Sequence, residues 1–232
     1  ARFLPEMISG ISNGTLDRDE VAQITQNAWR DTIIAADMHY EPGTFTTFVG
    51  YEYTTSSNDF GNLHRNVIFR LSAKLPSEPF SRFHSQNPEG LWDWMDGLRE
   101  NGVESLAIPH NSNGSNGQMF KLVDWAGDPL DDPYSRQRAR NEPLVEITQV
   151  KGTSDTHPLL SKNDEWSDFE IMQYRVATFL QSEPSGSYVR DAYLKGLGLE
   201  EAGRENPYKF GLIGSSDTHV AAPSLYEDNY HA

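Results

Sequence analysis

An α/β fold is what this sequence predicts, on three observations. Short apolar, β-rich runs alternate with stretches of helical periodicity. Three of the apolar runs end in residues that bind metals: residues 45–49 lead into Gly50-Tyr51-Glu52, residues 105–108 into Pro109-His110-Asn111, and residues 210–214 into Ser215-Ser216-Asp217-Thr218-His219. Loops after strands are where such folds place chemistry. The third observation is length: 232 residues can bury one sizeable core, so residues 1–232 read as one domain.

The elements follow in order. Residues 17–40 read as a helix: Asp17 suits the N-cap, acidic residues fill the first turn, and Val21, Ile24, Ala28, Thr32 and Ala35 recur at helical spacing. Pro42-Gly43 ends it. Residues 45–53 are β-rich, and a Thr-Thr-Ser-Ser-Asn-Asp loop follows. Residues 63–71 read as a strand with Val67 and Phe69 on one face. Residues 88–100 read as a helix with Leu91, Trp94, Met95 and Leu98 inward and Asn101-Gly102 as the stop. Residues 104–108 form a short buried strand.

Residues 111–117 are a Gly/Asn/Ser loop, too polar and flexible for the core. Residues 124–141 are charged, carry Asp-Pro punctuation and read as a surface excursion. Residues 144–150 form a strand ending at Lys151-Gly152. Residues 164–174 fit neither pattern. Residues 187–197 are helical, with Gly198 and Gly203 near their end, and residues 210–213 form a last, buried strand. Ser-Asp-Thr-His occurs at 154–157 and at 216–219, with flanks so different that the repeat reads as coincidence.

Composition narrows the function. Lys plus Arg total 19 against 34 Asp plus Glu, a net charge of −15, which opposes nucleic acid or anionic membrane as the main partner. A small anionic substrate stays possible, because a bound metal reverses the local field. With no cysteine, disulfides and thiolate sites are impossible, and any metal must be held by His, Asp and Glu. No apolar run is long enough to cross a bilayer. The chain opens on Ala-Arg-Phe-Leu-Pro without an initiator Met and reads as a fragment or processed form.

Asp217 and His219 are the strongest pair: a carboxylate and an imidazole two residues apart at a strand end suit zinc or manganese. Glu52 can bridge two cations through its two oxygens, or serve as an ordinary salt-bridged or N-capping Glu at a strand end. His64 alone reads as a partly exposed strand-start His, and Arg65 beside it as a surface residue or an anion contact. His110, after a buried strand and a Pro, is poorly explained by packing. Asn111, Asn113 and Asn116 fit ordinary turn chemistry or substrate contacts.

Glu146 lies in an apolar strand, where an unpaired carboxylate is expensive to bury. It faces solvent, pairs with an Arg, or faces a site. Lys151 is a phosphate contact or a plain surface Lys, and His157 sits in a Pro-flanked loop able to close over a site. His39, His84 and His231 read as structural or surface residues. No Gly-x-Ser-x-Gly elbow, Walker loop or dinucleotide glycine loop is present.

The ordered set Phe48-Val-Gly-Tyr-Glu-Tyr-Thr54, Gly61-Asn-Leu-His-Arg-Asn-Val-Ile-Phe-Arg70, Ile108-Pro-His-Asn-Ser-Asn113, Glu142-Pro-Leu-Val-Glu-Ile-Thr-Gln-Val-Lys-Gly152 and Gly211-Leu-Ile-Gly-Ser-Ser-Asp-Thr-His219 resembles the PHP (polymerase and histidinol phosphatase) superfamily. It is most similar to the large branch catalogued only as a domain of unknown function. The resemblance implies a distorted (β/α)7 barrel holding two or three divalent ions (Zn, Mn or Fe) at the C-terminal ends of its strands. By position, Glu52 resembles the carboxylate bridging two metals, His64 and His110 the ligands of the second metal, Asp217 a ligand of the first and His219 a ligand of the third.

The family's opening His-x-His is absent, and the chain reads as truncated at both ends, with an incomplete barrel. Only Glu52, His64 and His110 then form a complete protein set. The implied activity is metal-dependent hydrolysis of a small-molecule phosphoester by an activated water, with Arg65, Asn111 or Lys151 meeting the substrate. The alternatives are hydrolysis of an amide or ester, and a non-catalytic barrel module. The resemblance also implies a periplasmic or extracellular location.

Overall fold

Helix α1 (Arg18–Met38) begins where Asp17 caps it. The Asp17 side chain accepts from Asp19 N at 2.9 Å and Glu20 N at 3.4 Å, satisfying two free amides of the first turn. Its inward face is not the expected Val21, Ile24, Ala28, Thr32 and Ala35 stripe, for Ile24 is 61% exposed. Trp29 is buried instead, with Ile33 and Ala36 beside it, and its Nε1 donates to Pro76 O at 2.9 Å. One large ring with a satisfied N–H outweighs several small residues in setting the face. The computed structural model of the chain describes residues 6, 9–10, 13–219, 226 and 228.

The other elements are β1 (Gly50–Tyr53), β2 (Arg65–Phe69), α2 (Pro88–Glu100), β3 (Ser105–Pro109), α3 (Asp132–Asn141), β4 (Leu144–Gln149), β5 (Gly152–Thr153), α4 (Val189–Glu201) and β6 (Gly211–Gly214). The α/β class therefore holds. The strands form two three-stranded sheets, ordered β1-β2-β3 and β5-β4-β6, with no closed barrel among the described residues. β2 runs antiparallel to both β1 and β3, while β4 pairs parallel with β6 and antiparallel with the short β5. β4 lies beside β3 without a ladder between them.

In the first sheet, Tyr53, Val67, Phe69 and Ala107 share one face and join Trp29, Leu91 and Met95 in a core. Trp94 and Leu98 pack against it, so α2 presents the expected residues inward. The opposite face carries Glu52, Asn66 and Ile108 in one cross-strand row. A second core gathers Leu63, Met119, Phe120, Val145, Val189, Ala192, Tyr208 and Phe210 around β4 and α4.

Four expectations are corrected. The strand within residues 45–53 is confined to β1, and Phe45 and Phe48 are exposed. The strand at residues 210–213 is β6, paired among the described residues with β4 alone, and Leu212 is 47% exposed, so it is an edge rather than a buried strand there. The surface excursion contains α3, capped by Asp131, whose side chain accepts from Tyr134 N at 2.8 Å. α3 buries Arg138, because Glu142 neutralises the guanidinium and Trp92, Phe120 and Tyr208 surround it.

The polar loop after β3 is core, not surface: Asn111, Ser112, Asn113 and Ser115 are all buried. Distant partners make that possible. Ser154 Oγ accepts from Asn113 N at 3.2 Å and donates to Asn113 Oδ1 at 3.0 Å. Ser187 Oγ accepts from Ser115 Oγ at 3.2 Å and from Gly117 N at 2.7 Å.

Gly186 backs this loop at φ +84°, and a Cβ there would run into the Gly117 carbonyl. Gly186→Ala is therefore expected to lower the unfolding free energy by about 2–4 kcal/mol, from left-handed backbone strain and overpacking together. Urea denaturation reads this directly, and a loss under ~0.5 kcal/mol would mean that the loop yields.

Candidate metal centre

Three segments converge on the inner face of the first sheet. Glu52 lies within β1, His64 immediately precedes β2, and His110 immediately follows β3. Because β2 is antiparallel to both neighbours, the C-terminal ends of β1 and β3 meet its N-terminal end at one edge. Alternation then puts His64 on the face of Asn66, His110 on the face of Ile108, and Glu52 in the same row. His110 N donates to His64 O at 3.3 Å, which continues the β2–β3 pairing past the strand ends.

His64 Nδ1 lies 2.6 Å from Glu52 Oε1, and His110 Nε2 lies 3.5 Å from the same oxygen, long for a hydrogen bond. The two rings meet edge to face with centroids 5.7 Å apart. One ligand atom from each of the three residues lies within 4.8 Å of the others. Burial works against the Glu52 charge, but the His110 and His64 imidazoles outweigh it and hold the carboxyl well below the usual carboxylate range. Burial lowers the His64 pKa, partly offset by Glu52. The centre is thus arranged as a carboxylate facing a His64 imidazole that burial keeps towards the neutral, ligating form.

His110 is fully buried, and neither ring nitrogen has a hydrogen-bond partner. Buried imidazole nitrogens are ordinarily satisfied. Two imidazole nitrogens and a carboxylate oxygen suit zinc, manganese or iron, so the residues fit a divalent ion. Asn62 fixes the backbone here: its Nδ2 donates to His110 O at 2.9 Å and to Asn111 O at 3.3 Å. Asn111 itself adopts φ 52°, a left-handed conformation that Asn tolerates, and both polar atoms of its buried side chain lack partners.

The remaining expected residues divide. Asp217 stands outside the triad but acts electrostatically on His64. Its Oδ2 accepts from Gln149 Nε2 at 2.9 Å and pairs with the Lys151 ammonium. His219 is exposed, its Nδ1 3.0 Å from Asp217 O, and is not brought to the triad. Arg65 is buried away from any ligand: its Nε donates to Glu142 Oε1 at 2.8 Å and its Nη1 to Leu63 O at 2.5 Å. Both basic side chains expected to meet a substrate anion are thus already engaged with carboxylates.

His157 packs against Tyr188, His84 lies 3.5 Å from Glu78, and His39 caps α1 at its C-terminal end. His231 lies outside the described residues.

Two residues near the centre were not singled out from the sequence, or only in part. Gln149, which holds Asp217, has no sequence signal. Glu146 carries a signal, a carboxylate in an apolar strand, and proves to be 1% exposed with Oε1 unpartnered. Burial pushes its carboxyl up to about 7, with Asp217 adding and His110 and Lys151 opposing.

No helix of the described residues is long and apolar enough to cross a membrane. Neither the curated proteins nor the solved structures contain a match to the chain. A family model described as "Protein of unknown function (DUF3604)" matches residues 4–232, a span that includes every residue of the centre. The chain therefore belongs to the DUF3604 family.

Proposed function

We propose that the chain is the metal-binding, catalytic part of a metal-dependent hydrolase of the PHP type, acting on phosphoesters, with its two sheets as parts of a distorted barrel. The observation that carries this reading is the convergence of Glu52, His64 and His110 from three separate segments, with both His110 ring nitrogens buried and unpartnered. Packing alone gives no reason to bury an unsatisfied imidazole. Glu52, His64 and His110 would hold the ion, with Asp217 as a further ligand once released from Lys151. A divalent cation there supplies Lewis acidity and an activated water.

The chain's own groups supply the rest. Glu52 keeps its negative charge and orients the His64 imidazole through Oε1, with His110 Nε2 3.5 Å from the same oxygen. Asn111 offers one buried donor and one buried acceptor to whatever enters beside His110. Lys151, held at Asp217, is placed to meet an anion that displaces it.

One observation favours a second reading, hydrolysis of an uncharged ester or amide. Arg65 and Lys151 are both neutralised by carboxylates, which leaves the centre, among the described residues, without a committed cation for a phosphate.

Elemental analysis of the purified chain tests the metal reading. About one zinc, manganese or iron per chain is expected, and Glu52→Ala and His110→Ala should each reduce it at least ~10-fold, because the loss of one ligand of three removes several kcal/mol of ion binding. Metal retained in both variants, or absent from the unsubstituted chain, overturns it. Turnover of a phosphoester panel by the metal-loaded chain, against a carboxylic ester and amide panel, separates the two chemistries.

A further inference from the structure

Among the described residues, Glu146 is the one buried carboxylate near the centre that neither the triad nor the core uses. β4 places Val145 in the second core, with Ile147 packed against it. Alternation therefore turns Glu146 to the other face, and there the His110 imidazole and Asp217 act on its charge. A register irregularity in the β4–β6 ladder falls between Glu146 and Thr148. Such bulges re-aim side chains and recur beside functional sites.

Its surroundings are those of a ligand rather than of a salt bridge. His110, Asp217 and Lys151 all act on Glu146 electrostatically, and Gln149 holds Asp217 beside them. The Lys151 ammonium is committed to Asp217, and the buried Arg65 and Arg138 are committed to Glu142. Oε1 of Glu146 has no partner, although a buried carboxylate oxygen is costly to leave bare. Both buried nitrogens of His110 likewise lack a hydrogen-bond partner. Unpartnered buried polar atoms on Glu146, in β4, and on His110, at the end of the neighbouring β3, call for a cation.

We infer that Glu146 is a metal-holding residue of this centre, adding a carboxylate oxygen on the Asp217 side of the Glu52, His64 and His110 set. The inference rests on the metal reading above and extends it to a residue outside the triad. It makes the centre richer in oxygen donors than the triad alone, which favours manganese or iron over zinc at the added position.

Cobalt(II) is the probe, because its visible absorption reports coordination as well as occupancy. The full chain and Glu146→Gln, which keeps the shape and removes the charge, are titrated with Co2+ and followed by absorbance. Glu146→Asp, which keeps the charge and withdraws the oxygen by one methylene, gives the same reading if the Gln variant folds poorly. The expected result is at least a ~10-fold loss of Co2+ affinity at one position and an altered absorption band, with metal-free melting unchanged.

If the unsubstituted chain binds Co2+ and both variants match it in affinity and band, the inference fails while the triad stands. Lower metal-free melting with unaltered binding would make Glu146 a structural group and likewise overturns the inference. If the unsubstituted chain binds no Co2+, both readings fail together.

Discussion

Glu142→Ala is expected to destabilise the chain by about 3–5 kcal/mol, a large share of the ~5–15 kcal/mol that holds a typical domain. Glu142 is 1% exposed. Its Oε1 accepts from Arg65 Nε at 2.8 Å and Trp92 Nε1 at 2.9 Å, and its Oε2 accepts from Arg138 Nε at 3.0 Å. Removing it leaves two buried guanidinium groups facing each other without a counter-charge. The damage follows from that, not from the worth of the ion pairs themselves. Replacing Arg65, Glu142 and Arg138 together by apolar residues should therefore cost far less than the single change. Urea midpoints of the two variants check this, and a single-variant loss below ~1 kcal/mol would sink it.

The same carboxylate sets the acid limb of stability. Burial alone would raise the Glu142 pKa, but the charges of Arg65 and Arg138 outweigh it and hold the carboxyl below its ordinary value. The unfolded chain therefore takes up this proton first as pH falls. The stabilisation is fully present above the ordinary glutamate value of about 4.3 and is lost as pH drops through the folded value. Glu142→Gln should flatten the pH dependence of unfolding below about pH 4, and an unchanged slope would contradict it.

Helices and strands were legible where the signal is local. The Asp17 cap, the apolar stripe of α2 and the Asn101-Gly102 stop need only neighbours a few residues away. Glu52, His64 and His110 could be singled out because each departs from the apolar pattern at a strand boundary. Pairing direction was not legible: alternation of strands and helices gave the α/β class and no direction, and β2 is antiparallel to both β1 and β3.

Nor was the burial of the Asn111–Ser115 stretch, whose partners Ser154 and Ser187 lie some forty to seventy residues away. The Arg138 side chain looks solvated until Glu142 and three rings are folded around it. Asp217 and His219 made the strongest motif in the sequence, and the structure holds the one on Lys151 and leaves the other exposed. Spacing places two side chains on one segment, but it does not say which other segment they will meet.

Saturating zinc or manganese is expected to raise the melting temperature of the chain by roughly 8–16 °C, and His110→Ala to abolish the rise. The ligand atoms belong to β1, to the residue before β2 and to the residue after β3, so a bound ion ties together segments that unfolding separates. An ion at about a thousandfold excess over its dissociation constant stabilises the folded state by ~4 kcal/mol. For a chain of this size each kcal/mol is worth about 2–4 °C.

The variant's metal-free behaviour makes the test specific. A buried His serving as structure would hydrogen-bond its surroundings, and its removal would lower melting with or without metal. His110 makes no such bond from either ring nitrogen. Its truncation opens a cavity but also relieves two unsatisfied polar atoms, and these effects oppose each other. Metal-free melting should therefore change little while the metal-dependent gain disappears. A gain that survives in His110→Ala would place the ion elsewhere, and a large metal-free loss would return His110 to the core as an ordinary packed residue.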